Sequence, residues 1–135
     1  MTCKTFLDFL PINFRHEKDF LIQNNLLDLE ILSTLTDIEI SNIQRNAPLC
    51  TLNNLKKIRA IAIFKKQIAI SPPEAYLLLH CGVGSIRVLS QLNPNELSKK
   101  IGRLERNLRS KTGTKITSRI LKDWIERAKQ INTSN

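Results

Sequence analysis

Residues 77–92, LLLHCGVGSIRVLSQL, hold the residue types most open to a chemical reading. Gly82-Val83-Gly84 makes a bend between two apolar stretches, and such a bend can turn bare backbone amides toward a phosphate. The same residues suit a tight corner, with Gly82 as a helix C-cap in the left-handed conformation that other residues avoid. His80 and Cys81 are adjacent, but neighbouring side chains on a helix diverge by about 100°, so they do not form a nucleophile–base pair. Lys111-Thr112-Gly113-Thr114-Lys115 lacks the G-x-x-x-x-G-K-[ST] order of a phosphate loop, because Ile116 follows Lys115. His16-Glu17 is not followed by a second histidine. Cys3, Cys50 and Cys81 lie far apart with no C-x-x-C among them, which argues against a disulfide framework or a zinc site and for reduced thiols. No nucleophile, base and orienting group come together. The expectation is a protein that is not an enzyme and takes no metal or cofactor.

The abundant chemistry is cationic. The 135 residues carry a net charge of +9 and a pI of about 9.8, which favours a polyanionic partner: nucleic acid, an acidic protein face or an anionic membrane. The charge is uneven. Residues 15–39 set Arg15 and Lys18 against Glu17, Asp19, Asp28, Glu30, Asp37 and Glu39. Residues 40–73 hold Arg45, Lys56, Lys57, Arg59, Lys65 and Lys66 and no acid. Residues 96–135 hold eleven bases and four acids. On a helical wheel Lys99, Arg103 and Arg106 fall opposite a stripe of Leu97, Ile101, Leu104 and Leu108, while Lys115, Arg119, Lys122 and Lys129 fall away from Trp124. Two such faces on neighbouring helices would join into one patch able to bind phosphate backbones without reading sequence. The expected contacts are Lys99, Lys100, Arg103, Arg106 and Arg109, helped by Lys115, Arg119 and Lys122, with Lys56, Lys57 and Arg59 extending the patch.

Helices must position these bases, and their punctuation is legible. Thr36-Asp37-Ile38-Glu39 reads as a capping box. Ser71-Pro72-Pro73-Glu74 repeats the logic with Pro72 at the first helical position, and Asn93-Pro94-Asn95-Glu96 repeats it with Asn93 as cap. Alternating, strand-like segments are scarce. The chain also matches itself. Residues 20–41 shifted by 57 fall on residues 77–98, with Leu21/Leu78, Leu32/Leu89, Ser33/Ser90, Leu35/Leu92, Glu39/Glu96 and Ser41/Ser98 identical. The expected fold is all-α: one domain over 1–135, with related halves at about 15–50 and 71–110, a linking helix at about 52–68 and a last helix at about 115–130. Neither half has apolar surface enough alone, so the two share one core. MTCKTFLDFLPINF is too interrupted for a signal peptide. The longest uncharged run, Ala75 to Ile86, is short of the roughly 20 residues a membrane span needs. A cytoplasmic location is expected.

Gly82-Val83-Gly84 matches the G-[IV]-G hairpin of helix-hairpin-helix modules, whose amides contact a nucleic-acid phosphate, although Gln91 stands where those modules have an apolar residue. A wider resemblance is carried by Leu10-Pro11-Ile12-Asn13-Phe14-Arg15-His16-Glu17, Leu78-Leu79-His80-Cys81-Gly82-Val83, Gly102-Arg103-Leu104-Glu105-Arg106-Asn107-Leu108 and Trp124-Ile125-Glu126-Arg127-Ala128-Lys129. Over most of its length the chain resembles an uncharacterised family of tandem helix-hairpin-helix-like proteins, a domain of unknown function common in cyanobacteria. The resemblance implies a short-helix bundle of two helix-hairpin-helix-like (SAM-like) halves. In that register the hairpin falls at Ala69-Ile70-Ser71-Pro72, with Ala69 and Ser71 in place of its glycines. Gly82 then aligns with Asn25 as a structural corner, and Gly84 aligns with Leu27. The expected function is a non-catalytic module on the nucleic-acid backbone, DNA or RNA, through the basic helices. Gly82 and Gly84 are secondary contacts. The alternative is a protein-interaction or assembly adaptor.

Overall fold

A long helix, α4 (Leu52–Ile68), crosses the middle of the molecule and touches both related segments. The structure, a computed structural model, describes Leu7 and residues 9–108 and 117–133, the side chains of 104–108 and 132–133 excepted. After a short 3-10 turn at Ile12–Phe14, α1 (Arg15–Gln23), α2 (Leu29–Ser33) and α3 (Asp37–Asn46) precede α4; α5 (Pro72–His80), α6 (Ile86–Ser90), α7 (Pro94–Leu108) and α8 (Ser118–Thr133) follow it. No strand occurs among the described residues.

The caps explain most boundaries. Thr36 and Glu39 close the capping box at the start of α3, each side chain bonding the other's backbone N–H at 3.1 and 3.0 Å. Asp28 Oδ1 accepts from the amides of Glu30 and Ile31 at α2, and Ser85 Oγ accepts from that of Val88 at α6. Asn93 Oδ1 accepts from the Asn95 amide at α7. Ser71 departs from the pattern: it holds the N-cap position of α5 but caps no amide. The Ser71 hydroxyl instead donates to Glu74 Oε1 at 2.6 Å. Thr117 Oγ1 accepts from the Ile120 amide, which fixes the start of α8 at Ser118 rather than near residue 115.

The 57-residue shift seen in the sequence is also the spacing of the helices. α5 and α6 start and end 57 residues after α1 and α2, and α7 starts 57 residues after α3. The corners repeat bond for bond. Asn25 N–H donates to Ile22 O and Leu26 N–H to Leu21 O; Gly82 N–H donates to Leu79 O and Val83 N–H to Leu78 O. Both are Schellman closures, and both put the second residue after the helix at positive φ, 55° for Asn25 and 87° for Gly82. α4 is more than the expected linker: it packs on α2 and α3 as α8 packs on α6 and α7. Each three-helix copy leaves an apolar face open, and the helix after it closes that face.

Leu21, Leu32, Leu78, Leu89 and Leu97 join Ile58, Ile61 and Phe64 of α4 and Leu121, Trp124 and Ala128 of α8 in one buried cluster. Ile40, Ile43, Cys50 and Leu55 form a smaller one under α3. Trp124 is only 5% exposed and belongs to the core. Glu17 is buried too. Its Oε2 accepts from the Thr51 amide at 2.8 Å and its Oε1 from Asn54 Nδ2 at 3.2 Å, so a carboxylate from α1 satisfies the positive N-terminus of α4.

Candidate functional site

The bases divide into those already used inside the molecule and those that face solvent. Arg59, expected to extend a binding patch, is used. Its Nη1 donates to Leu35 O at 3.1 Å and lies 2.8 Å from Asp37 Oδ1, tying α4 to the α2–α3 turn. The hydrogen bond from Arg59, and then its charge, hold the Asp37 carboxyl below the usual carboxylate range. Lys66 is paired with Glu30. Arg127 donates to Ile68 O at 3.0 Å and pairs with Asp123 at 2.9 Å. It thereby caps the C-terminus of α4, where a cation meets the negative end of the helix dipole. The acids of the first copy thus face the bases of α4 within one chain.

The bases of α7 and α8 differ. Lys99, Lys100 and Arg103 on α7 and Arg119 and Lys122 on α8 are exposed. Among the described residues none of the five makes an ion pair. Leu97 and Ile101 are buried on α7, as are Leu121, Trp124, Ile125 and Ala128 on α8, so packing turns the basic sides outward. α7 and α8 pack on each other. The side chain of Arg106, and Arg109 and Lys115 entirely, lie outside the described residues.

A second group gathers at the C-terminal end of α5. His80 is its last residue, with its ring edge-on to Tyr76 at 4.5 Å; Tyr76 in turn meets Phe14 at 5.9 Å and Phe9 at 5.7 Å. Asn54 Nδ2 bonds Asn13 O at 3.0 Å, which brings α4 against this same N-terminal segment. Lys57 lies one turn beyond Asn54 on that face. Burial, and then the charge of Lys57, push the His80 imidazole down from its usual value. Burial raises the neighbouring Cys81 thiol, and the charge of Lys100 pulls it the other way. Sequence reasoning assigns His80 only a place near a helix end. The charge that acts on it comes from Lys57 on α4, 23 positions away, so no local motif announces it.

Gly82 occupies the left-handed corner. Gly84 does not have positive φ, and a Cβ there would meet nothing within 4 Å. Gly84 and Ser85 also line a groove of about 430 Å³, floored by Ala60, Ile63 and Phe64 and walled by Lys56 and Arg59. At the alternative hairpin, Ala69 adopts φ 55°, a conformation natural to glycine.

Among the described residues no helix is long and apolar enough to cross a membrane, and no group of three or more His, Cys, Asp or Glu is placed to hold a metal ion. Compared with protein-family models, residues 12–131 match DUF4332, a domain of unknown function. No curated protein and no solved structure matches the chain.

Proposed function

We propose that this chain, which belongs to the DUF4332 family, is a non-catalytic module of two helix-hairpin-helix-like halves that binds the phosphate backbone of nucleic acid. The observation that carries this reading is the sorting of charge. Bases of α4 and α8 that meet acids or carbonyls are spent on the fold, whereas Lys99, Lys100, Arg103, Arg119 and Lys122 stay exposed and unpaired among the described residues. Cations so placed gain by releasing the counterions of a phosphate chain, with little dependence on base sequence. The bend at Gly82 serves the fold, and the helix faces make the contact.

The test is a salt titration of binding to short duplex DNA, duplex RNA and single strands. Lys99→Glu with Arg103→Glu should lower affinity roughly tenfold or more and reduce the log–log salt slope by about two, since each phosphate contact contributes about one. The melting temperature should stay unchanged, because both side chains are exposed. Unaltered affinity in this variant rules out the surface.

An adaptor role is the second reading. Ile12, Ile38 and Leu49 are 77%, 75% and 69% exposed and offer apolar contacts to a protein partner. Head-to-tail charge pairing between copies is less favoured, because Glu30 and Asp37 are engaged within the chain.

A further inference from the structure

The corner at the end of α5 joins two basic elements that sequence keeps apart. Lys57 comes from α4, His80 from α5 and Lys100 from α7, and both α4 and α7 pack on α5. Asn54, one helical turn before Lys57, bonds Asn13 O beside Phe14, and Phe14 meets Tyr76, which meets His80. Lys100 stands on α7, which packs on α5, and its charge is felt by Cys81, the residue after His80. Lys100 and His80 are exposed and Lys57 is half-buried. A surface that begins with Lys99, Lys100 and Arg103 on α7 therefore does not end at that helix. It has a neighbour, His80, whose charge changes near neutral pH.

We propose that the polyanion-binding surface continues from α7 over the C-terminal corner of α5 to α4, with Lys100, His80 and Lys57 as contacts, and that a bound phosphate backbone draws a proton onto His80. The proposal rests on the reading of the basic surface given above and adds to it a defined edge and a pH dependence. Lys57 of α4 acts on His80 from a packed element and the Tyr76 ring from its own helix, Lys100 of α7 acts on the adjoining Cys81, and Phe9 and Phe14 pack on Tyr76. In the free protein, burial and Lys57 favour the neutral imidazole. A phosphate chain laid over the corner offsets the repulsion and favours the imidazolium. Binding then takes up a proton, so affinity rises as pH falls, and this gain is lost as pH rises through the value His80 has in the complex.

The experiment measures affinity for a short duplex with hydroxyl ends, whose phosphodiesters do not titrate in this range, between about pH 8 and about pH 5.5. The wild type should tighten by roughly three- to tenfold on acidification, because a tenfold firmer hold on the His80 proton in the complex returns as a tenfold gain in affinity. His80→Gln should show no such rise, while His16→Gln should keep it. Lys57→Gln should bind more weakly at every pH, with the salt slope reduced by about one. A wild type that binds without pH dependence, or a rise that persists in His80→Gln, overturns this inference and leaves the α7–α8 surface standing. Absence of binding at any pH and at low salt overturns both.

Discussion

At the scale of single residues, Ala69 and Glu17 show how much a side chain's surroundings decide. Ala69 holds a left-handed conformation, at φ 55°, at the end of α4. An L-residue gives up about 1–2 kcal/mol there, and glycine in turn loses about 0.5–1 kcal/mol of chain entropy on folding. Ala69→Gly should therefore stabilise the protein by about 0.5–1 kcal/mol, read as a rise of a few degrees in thermal midpoint. A lower midpoint would mean that the Ala69 methyl makes a contact worth more than the strain. Glu17 conveys the opposite lesson. In sequence it is one acid among six in residues 15–39. In the fold it is 1% exposed and bonded to groups 34 and 37 positions on.

At the scale of elements, two Schellman closures 57 residues apart hold the corners. The first uses Asn25 and the second Gly82, the two residue types that tolerate positive φ best. Gly82→Ala should cost about 1–2 kcal/mol by forcing a Cβ into the left-handed region. Gly84→Ala should be neutral or stabilising by a few tenths up to about 1 kcal/mol, because a methyl there meets open space and restricts the unfolded chain. Urea denaturation of the two variants checks this; equal losses would assign Gly84 a conformational duty that its geometry does not show. The helix starts are readable because Thr36, Asp28, Ser85 and Asn93 act within three residues of themselves. Ser71 escapes that rule for an equally local reason: its hydroxyl donates to the Glu74 carboxylate.

At the scale of the whole molecule, charge pairing between the first copy and α4 couples stability to pH. Asp37 has a carboxyl value lowered from 3.8 by Arg59, so the folded state binds its proton less tightly than the unfolded chain. The stabilisation is in place above 3.8 and disappears as pH falls through the lowered value. Asp37→Asn should be slightly less stable than the wild type at neutral pH, with the difference closing on acidification. Urea midpoints followed from neutral pH downward measure it. A difference that stays constant to the acid limit would show that it does not arise from the Asp37 charge.

What the sequence determined by itself is local or periodic. The helical class, the 57-residue self-match, the corners at Asn25 and Gly82 and the outward turn of the bases on α7 and α8 all follow from spacing and from caps that act over a few residues. Tertiary structure alone decided which bases remain available. Arg59, Lys66 and Arg127 look no different in sequence from Lys99 or Lys122, yet partners 24, 36 and 59 positions away engage the first three. The same packing made α4 the closing helix of the first copy and brought the charge of Lys57 to bear on His80. Charge and conformational preference belong to the residue, but the distance between two charges belongs to the fold.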